Sequence, residues 1–309
     1  MSSNAEGSQE KKDLGRSSGR ASPYILLAVL SVIWGIAFSF ISVADNLLAP
    51  ANLALLRWLI ASAGYLAILP FLGKAKTKFE RKDWWRLLVI SFANVPLYHL
   101  SLNYGETTVS AGVAGLLVSL GPVFIALLSR ISLKEKIGRS LAFALIIATL
   151  GAVVLSIPSL GGPSGSLDGI FDVVLTAIAY SVFAVLSKPL VLKYGALPVA
   201  IRAGLVGTVM LLPLLSENFV TQVSELSALG WFSVLYLSIL STVLGYSLFY
   251  TLLGRGSVSR LSIQLYLIPI VSVISGSLLL GQGVTIFTLA GGAALLIAVA
   301  LATHAPSKR

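Results

Sequence analysis

Residues 74–86 read KAKTKFERKDWWR and hold six Lys and Arg residues, between an apolar stretch at 51–72 and another at 84–104. An apolar stretch of about 20 residues is long enough to cross the roughly 30 Å of hydrocarbon in a bilayer as a helix. Positive charge is retained on the cytoplasmic face when such helices insert. The sequence around 74–86 therefore predicts two membrane-spanning helices joined by a cytoplasmic loop.

Stretches of spanning length continue along the whole 309-residue chain. Ten can be drawn, at 23–44, 51–72, 84–104, 108–130, 137–157, 168–192, 197–215, 227–250, 258–280 and 284–303. With a cytoplasmic N-terminus, 20 of the 22 Lys and Arg residues fall in inner connections, at the inner ends of spans or in the termini, and only Arg57 and Arg202 lie further inside spans. This asymmetry predicts a multi-pass protein of the inner (plasma) membrane with ten transmembrane helices and both termini in the cytoplasm.

The composition excludes an ordinary soluble domain. Charged residues make up 11% of the chain and hydrophobic residues 56%, whereas a soluble domain has about 25% charged residues. The net charge of +10 is interpreted as a topology signal and as attraction to membrane lipids, not as a nucleic-acid interface. No cofactor or metal is expected. Residues 1–22, rich in Ser, Gly and charge, are expected to form a disordered cytoplasmic tail rather than a signal peptide.

An internal repeat divides the chain into residues 23–157 and 168–303. Matches occur in the same order, with Pro50, Arg57, Pro70 and Glu135 in the first half and Pro198, Arg202, Pro213 and Gln282 in the second. Because each half has five predicted helices, the second copy enters the membrane from the opposite face. We therefore expect an all-α membrane protein in which two inverted five-helix repeats surround a central cavity that opens alternately to each side. A duplication kept for packing alone is the alternative.

Four segments carry a resemblance to a known family. They are WGIAF at 34–38, the pair Pro50 and Arg57, LGPVFIALL at 120–128 followed by Glu135, and YLIPI at 266–270 after RGSVS at 255–259. These segments resemble the two repeats of EamA transporters, in the drug/metabolite transporter superfamily, and the resemblance covers about residues 24–303. It implies export or exchange of small metabolites, often amino acids, through a cavity lined by the first, third, fourth, sixth, eighth and ninth spans.

Arg57 and Arg202 admit two interpretations. A charged group in the bilayer interior is costly, so it is retained where it is paired, solvated or useful. Either arginine can capture an anionic substrate group, or it can extend its long side chain to an interface or to helix carbonyls as a structural element. Their matched placement favours the structural interpretation. No carboxylate lies near the middle of a predicted span, which argues against an ion pump with an acidic relay.

His99 is the histidine that lies inside a predicted span, close to Asn94, Pro96 and Tyr98. Histidine changes charge near neutral pH, so a proton-coupled step through His99 is one hypothesis. A neutral histidine bonded inside the bundle is favoured over it, because a low dielectric disfavours the charged form.

A set of aromatic and polar residues predicts the walls of the cavity, since a site for a mostly apolar metabolite needs flat walls and a few polar groups. The candidate substrate-binding residues are Trp34, Phe38, Asn94, Tyr98, His99, Ser119, Tyr180, Phe183, Tyr246, Tyr250, Gln264 and Tyr266. Ordinary packing and interfacial anchoring are the alternatives for each ring. Helix kinks are predicted at Pro96, Pro122 and Pro269.

These observations predict a secondary transporter and not an enzyme. A membrane enzyme needs converging carboxylates, histidines or an activated nucleophile, and no such catalytic set is evident. No phosphate-binding loop of the ATPase type occurs in the sequence. We expect export of amino acids or similar neutral or zwitterionic hydrophobic compounds. A carrier of phosphorylated or nucleotide-linked metabolites and a lipid flippase remain alternatives. Oligomeric state does not follow from the sequence.

Overall fold

The computed structural model describes residues 22–71, 78–108, 118, 120–157, 167–262, 266–281 and 283–303. The helices are α1 (Pro23–Asp45), α2 (Pro50–Ile68), α3 (Trp84–Phe92), α4 (Tyr98–Glu106), α5 (Gly121–Ser132), α6 (Arg139–Ser156), α7 (Leu167–Tyr194), α8 (Ala196–Leu211), α9 (Phe219–Ser224), α10 (Ala228–Leu235), α11 (Gly245–Arg255), α12 (Val258–Leu261), α13 (Leu267–Leu280) and α14 (Ile286–Thr303). Residues 1–21 of the predicted tail and the candidates Ser119 and Gln264 lie outside the described residues.

The described part of the chain is helical and contains no β-strand. Five helical runs in it are long and apolar enough to cross a membrane. They are Pro23–Asp45, Pro50–Phe71, Leu167–Tyr194, Ala196–Leu214 and Ala228–Arg255. Shorter apolar helices occupy Gly121–Ser132, Arg139–Gly151, Leu267–Leu280 and Leu289–Ala298. An all-helical, multi-pass membrane architecture is thereby confirmed, and the number of ten spans stays a prediction.

Proline marks where several helices begin. Pro23 and Pro50 are the first residues of α1 and α2, where a missing N–H removes no helical hydrogen bond. Pro122 and Pro269 lie in the first turns of α5 and α13, whose described parts begin at Gly121 and Leu267. Residues 119 and 263–265, just before these helices, lie outside the described residues, so the kinks at Pro122 and Pro269 stay predictions.

Helix packing is matched between the two halves of the chain. Helix α1 of the first half packs on α13 of the second, and in the matching contact α7 of the second half packs on α5 of the first. The run α3–α4 packs along α7, and in the matching contact the run α10–α11 packs along α1. Helices α2 and α8 contact each other, and so do α6 and α14. Exchanging the halves reproduces this set of contacts, which is the pattern expected of two copies related by a pseudo-two-fold axis.

Two π-helical segments occupy matched positions in the halves. Ala93–Leu97 joins α3 to α4 and contains Pro96 at the predicted break. Tyr236–Leu244 joins α10 to α11 without a proline. There the hydroxyl of Thr242 donates to the carbonyl of Leu237, five residues earlier, at 2.8 Å. Such segments are rare and are often found at functional sites because they widen the helix locally.

Side chains at the face that carries the basic connections, called here the basic face, link the two halves. The Glu135 carboxylate accepts hydrogen bonds from the backbone N–H groups of Val258 (2.9 Å) and Ser259 (3.2 Å) and from the Ser259 hydroxyl (2.8 Å). The end of the first half is therefore bound to the start of α12 in the second. Within the second half, Lys188 of α7 donates to the carbonyls of Leu253 and Gly256.

A second network on this face surrounds Asp83, which is 4% exposed. Its carboxylate accepts hydrogen bonds from Lys193 Nζ and from the Tyr194 hydroxyl, both at 2.6 Å. Lys193 also pairs with Glu80 at 2.6 Å. The bond from Lys193, followed by that from Tyr194, holds the pKa of Asp83 below its ordinary value. This network ties the connection before α3 to the end of α7.

Glycine allows α8 to approach α3. A Cβ atom built on Gly207 would overlap the side chain of Val95 and come within 3.0 Å of the Ser91 carbonyl oxygen. Gly292 of α14 faces open space, with no atom within 4 Å of a built Cβ. We expect Gly207→Ala to lower the stability of the protein in detergent by about 1–3 kcal/mol through overpacking. Gly292→Ala serves as the matched control and should not destabilise. Equal unfolding curves for the two variants would contradict the close packing.

Acid should weaken the Asp83 network. Because the folded pKa lies below the ordinary value of 3.8, the stabilisation is fully present above that value and is lost as the pH falls through the folded pKa. Asp83→Asn should lower the unfolding temperature at pH 7 and make its decrease on acidification shallower than in the unmodified protein. Glu225→Gln removes an exposed carboxylate that forms no ion pair in the described part of the chain and should leave this acid dependence unchanged.

Candidate functional site

Aromatic rings from five helical runs meet at half the depth of the bundle. We call this set the aromatic cluster, and its members are Trp34, Trp58, Tyr98, His99, Tyr180, Phe183, Tyr246, Phe249 and Tyr250. Centroid distances between neighbouring rings run from 5.0 Å for Tyr98 and His99 to 6.2 Å for Trp34 and Tyr180. Trp34, Trp58 and Tyr180 lie near the middle of their helical runs, whereas Phe249 and Tyr250 lie in the last two turns of the run Ala228–Arg255. The cluster therefore extends from half depth towards the face at which that run ends.

Trp34 and Tyr98 are the partly exposed members of the cluster, whereas the others are buried. Both rings contact Tyr180 of α7, at centroid distances of 6.2 Å and 5.9 Å. These contacts direct both rings towards the interior of the bundle. The partly exposed part of the cluster therefore adjoins α1, α4 and α7, the helices that carry Trp34, Tyr98 and Tyr180.

Arg57 lies against this cluster near the middle of α2. Arg57 as a whole residue is 6% exposed to solvent. Nε donates to the Thr242 hydroxyl at 2.8 Å and Nη2 to the Ser241 hydroxyl at 3.1 Å. Both acceptors belong to the π-helical segment Tyr236–Leu244 of the opposite half. Arg57 therefore bonds to the opposite half inside the bundle and does not extend to an interface, and the choice between a structural and an anion-binding role stays a prediction.

Arg202 has a different environment from Arg57. It is half-buried, its guanidinium stacks over the ring of Phe79 at 4.9 Å, and Nη1 donates to the carbonyl of Pro198 at 3.2 Å. Phe79 in turn stacks on Tyr194 at 3.9 Å. These partners belong to the basic face. The two arginines that match in the sequence are thus not equivalent in the structure.

Further polar atoms are buried next to Arg57. Electrostatic interactions connect Arg57 with Tyr98, Tyr246 and His99, and Tyr246 interacts with Asn94. Among the described residues, Nε2 of His99, Oδ1 of Asn94 and Nε1 of Trp58 are buried without a hydrogen-bond partner. A buried polar atom without a partner is costly, so each needs an explanation. Here all three belong to side chains at one side of the aromatic cluster.

The structure brings most of the predicted cavity residues together, but not all of them. Phe38 is half-buried and contacts no other ring in the described ranges. Tyr266 is fully buried against α6 and α14, with its hydroxyl 3.3 Å from that of Thr149. Trp58 and Phe249 join the cluster although the sequence did not single them out. Phe249 had a detectable signal, since it lies three residues after Tyr246 on one helical face.

No group of three or more His, Cys, Asp or Glu side chains with metal-binding geometry occurs in the described part of the chain. The described residues of the site offer aromatic faces, hydroxyls, the amide of Asn94, the imidazole of His99 and the guanidinium of Arg57. Such a combination binds and orients a small compound. It supplies no evident nucleophile with an activating base.

A helical membrane bundle with matched halves is an architecture that many transporters share. Comparison with known proteins identifies the family. The EamA-like transporter family matches residues 21–157 and 167–303, and the chain belongs to it. The resemblance noted in the sequence is thereby confirmed. Relatives of this chain carry transporter names, and transporters are usually not enzymes.

Two relatives and one solved structure illustrate the similarity. An uncharacterized transporter of Archaeoglobus fulgidus is 34% identical over 89% of this chain and 96% of its own length. A probable terminal-alkyne amino-acid exporter of Streptantibioticus cattleyicolor is 30% identical over 86% of this chain and 88% of its own. A protein of known crystal structure superposes with a TM-score of 0.74 at 17% identity, covering 92% of this chain and 97% of its own, and this likeness concerns the fold alone.

The hydroxyl of Thr242 is expected to stabilise the buried Arg57. Thr242→Val keeps the shape of the side chain and leaves Nε of Arg57 without its acceptor, which should cost about 1–3 kcal/mol of stability. Thr251→Val is the matched control, because that hydroxyl donates to the Ser247 carbonyl of its own helix at 2.7 Å. Thermal unfolding in detergent compares the two variants. If Thr242→Val and Thr251→Val lower the unfolding temperature equally, the hydrogen bond from Arg57 to Thr242 contributes nothing to the stability of the protein.

Proposed function

We propose that the protein is a secondary transporter that exports amino acids or similar neutral or zwitterionic hydrophobic metabolites across the inner membrane. The observation that supports this proposal most is the aromatic cluster, which presents Trp34 and Tyr98 to the interior at half depth. Large flat rings with a few polar groups suit a mostly apolar compound. The name of the Streptantibioticus relative, an amino-acid exporter, supports the same substrate class.

Alternating access is the proposed mechanism. Ten spans would form two inverted five-helix repeats, and the aromatic cluster would be the fixed site around which they move. The matched packing of α1 on α13 and of α7 on α5 supports two copies that rock against each other. The bonds from Glu135 to Val258 and Ser259 hold the halves together on the basic face. Breaking them would accompany opening towards that side.

The basic face is proposed to be cytoplasmic, with both termini on that side, because basic connections are retained there during insertion. Membrane lipids would surround the bundle and a small metabolite would be its soluble partner, with no role for nucleic acid. Phosphorylated compounds fit the cluster less well, because Arg57 is the basic side chain bonded next to it and Arg202 lies at the basic face.

Counterflow in proteoliposomes tests the proposal. Vesicles that contain the purified protein are loaded with one unlabelled amino acid at a time, and uptake of a labelled amino acid is followed. We expect neutral hydrophobic or aromatic amino acids to drive uptake. Trp34→Leu should reduce it strongly, since this variant removes an accessible ring that also donates to the Ser241 carbonyl at 3.0 Å.

The control for this variant is Trp231→Leu. Trp231 is 36% exposed at the start of α10 and lies outside the aromatic cluster, so its replacement should leave uptake as it is. Exchange driven only by phosphorylated sugars, or equal losses in the two tryptophan variants, would contradict the proposed function or its site.

A further inference from the structure

The guanidinium of Arg57 has N–H donors for which no acceptor is found among the described residues. A guanidinium carries five N–H donors, and the hydroxyls of Thr242 and Ser241 accept one each from Nε and Nη2. Three donors are left. In the described residues no carboxylate pairs with Arg57, and the ion pairs present involve Glu80 and Asp83 at the basic face.

A buried cation without a counter-ion is strongly unfavourable, because hydroxyl dipoles replace its hydration only in part. The two hydroxyls also come from a π-helical segment, which has an irregular geometry of its own. Such an arrangement is retained where the charge is useful. The missing component is an anion that reaches the guanidinium from the interior of the bundle.

The surroundings of Arg57 also indicate where the rest of a ligand would lie. The orphaned Nε1 of Trp58 and Nε2 of His99 belong to rings whose centroids are 5.6 Å apart. Trp58 is in contact with Tyr246 at 5.7 Å, and Tyr246 with Trp34 at 5.5 Å. A chain of rings thus leads from the charged group to the accessible surface at Trp34.

We propose that Arg57 binds the carboxylate of the transported compound, with the apolar part of that compound against the aromatic cluster. This inference rests on the proposed function and deepens it. A planar guanidinium fork matches a planar carboxylate. A phosphate dianion would need a second cation, and none of the described Lys or Arg side chains bonds beside Arg57. None of the described acidic side chains belongs to the cluster, so a substrate ammonium group would find ring faces and neutral acceptors such as Oδ1 of Asn94, but no counter-charge.

The proposal makes the carboxylate essential and the amino group dispensable. Binding to the purified protein in detergent is measured by calorimetry with three probes that share a phenyl ring and a two-carbon linker. They are 3-phenylpropionate, its uncharged amide 3-phenylpropionamide, and phenethylamine, which has the amino group alone. We expect 3-phenylpropionate to bind at least about tenfold more tightly than either of the others, as a charge-assisted bidentate contact implies.

Variants locate the effect. Arg57→Gln should abolish the preference for 3-phenylpropionate over its amide. Arg57→Lys keeps the charge without the fork and should bind the acid more weakly while still preferring it. Arg202→Gln makes the same chemical change at the basic face and should behave like the unmodified protein. The comparison of acid and amide on the unmodified protein needs no variant, so it stands even if Arg57→Gln fails to fold.

The outcomes separate this proposal from the proposed function. Equal affinity for acid and amide, a preference that survives in Arg57→Gln, or no binding of 3-phenylpropionate at all would overturn the role of Arg57. If amino-acid counterflow persists while one of these three results is found, the proposed transporter function still stands. Carboxylate-dependent binding without amino-acid counterflow would overturn the function and support the anion site.

Discussion

The buried guanidinium of Arg57 is the constraint around which the site is organised. Nearly all other basic residues lie where water or headgroups solvate them, whereas Arg57 lies near the middle of α2 and is 6% exposed. Its solvation comes from Ser241 and Thr242, whose hydroxyls the π-helical segment directs towards α2. Trp58, Tyr98 and Tyr246 enclose it. A charge held in this way is expensive for folding and is explained most simply by use in binding.

The same bonds connect the two halves of the chain. Arg57 and Trp34 belong to the first half, and both donate to groups of the segment Tyr236–Leu244 in the second. The site is therefore formed at the boundary between the copies, which is where a rocking motion acts most directly. On the basic face the boundary is closed by Glu135 against the start of α12. The proposed binding of substrate at Arg57 would therefore be coupled to the relative position of the halves.

Much of the architecture follows from the sequence, because hydrophobic length and the distribution of basic residues report directly on membrane insertion. The aromatic residues of the site were also predictable, since Trp34, Tyr98, Tyr180, Phe183, Tyr246 and Tyr250 are ring residues in spans of a transporter-like chain. The rotation of each helix about its own axis, which decides the neighbours of each side chain, was not predictable. A span that is apolar on all sides gives little periodic signal, so the sequence did not distinguish Tyr266, which packs on α6 and α14, from the rings of the cluster.

The sequence positions of Arg57 and Arg202 match, but equal positions along two helices do not give equal neighbours. Arg57 faces hydroxyls inside the bundle and Arg202 faces Phe79 at its edge. The shared structural role that the sequence favoured for the two arginines stays a prediction. Similarly, the apolar stretches around Pro122 and Pro269 do not indicate where a helix within them starts, and the described helices there begin at Gly121 and Leu267.

The most direct test of the carboxylate site is an experimental structure of the protein with 3-phenylpropionate bound. The account predicts ligand density with its carboxylate about 2.7–2.9 Å from the Arg57 guanidinium nitrogens and its phenyl ring against Trp34 or Tyr246. The Arg57 side chain should keep its bonds to Ser241 and Thr242. Ligand density elsewhere in the bundle, or an Arg57 side chain paired with a group of the protein itself and turned away from the aromatic cluster, would contradict it.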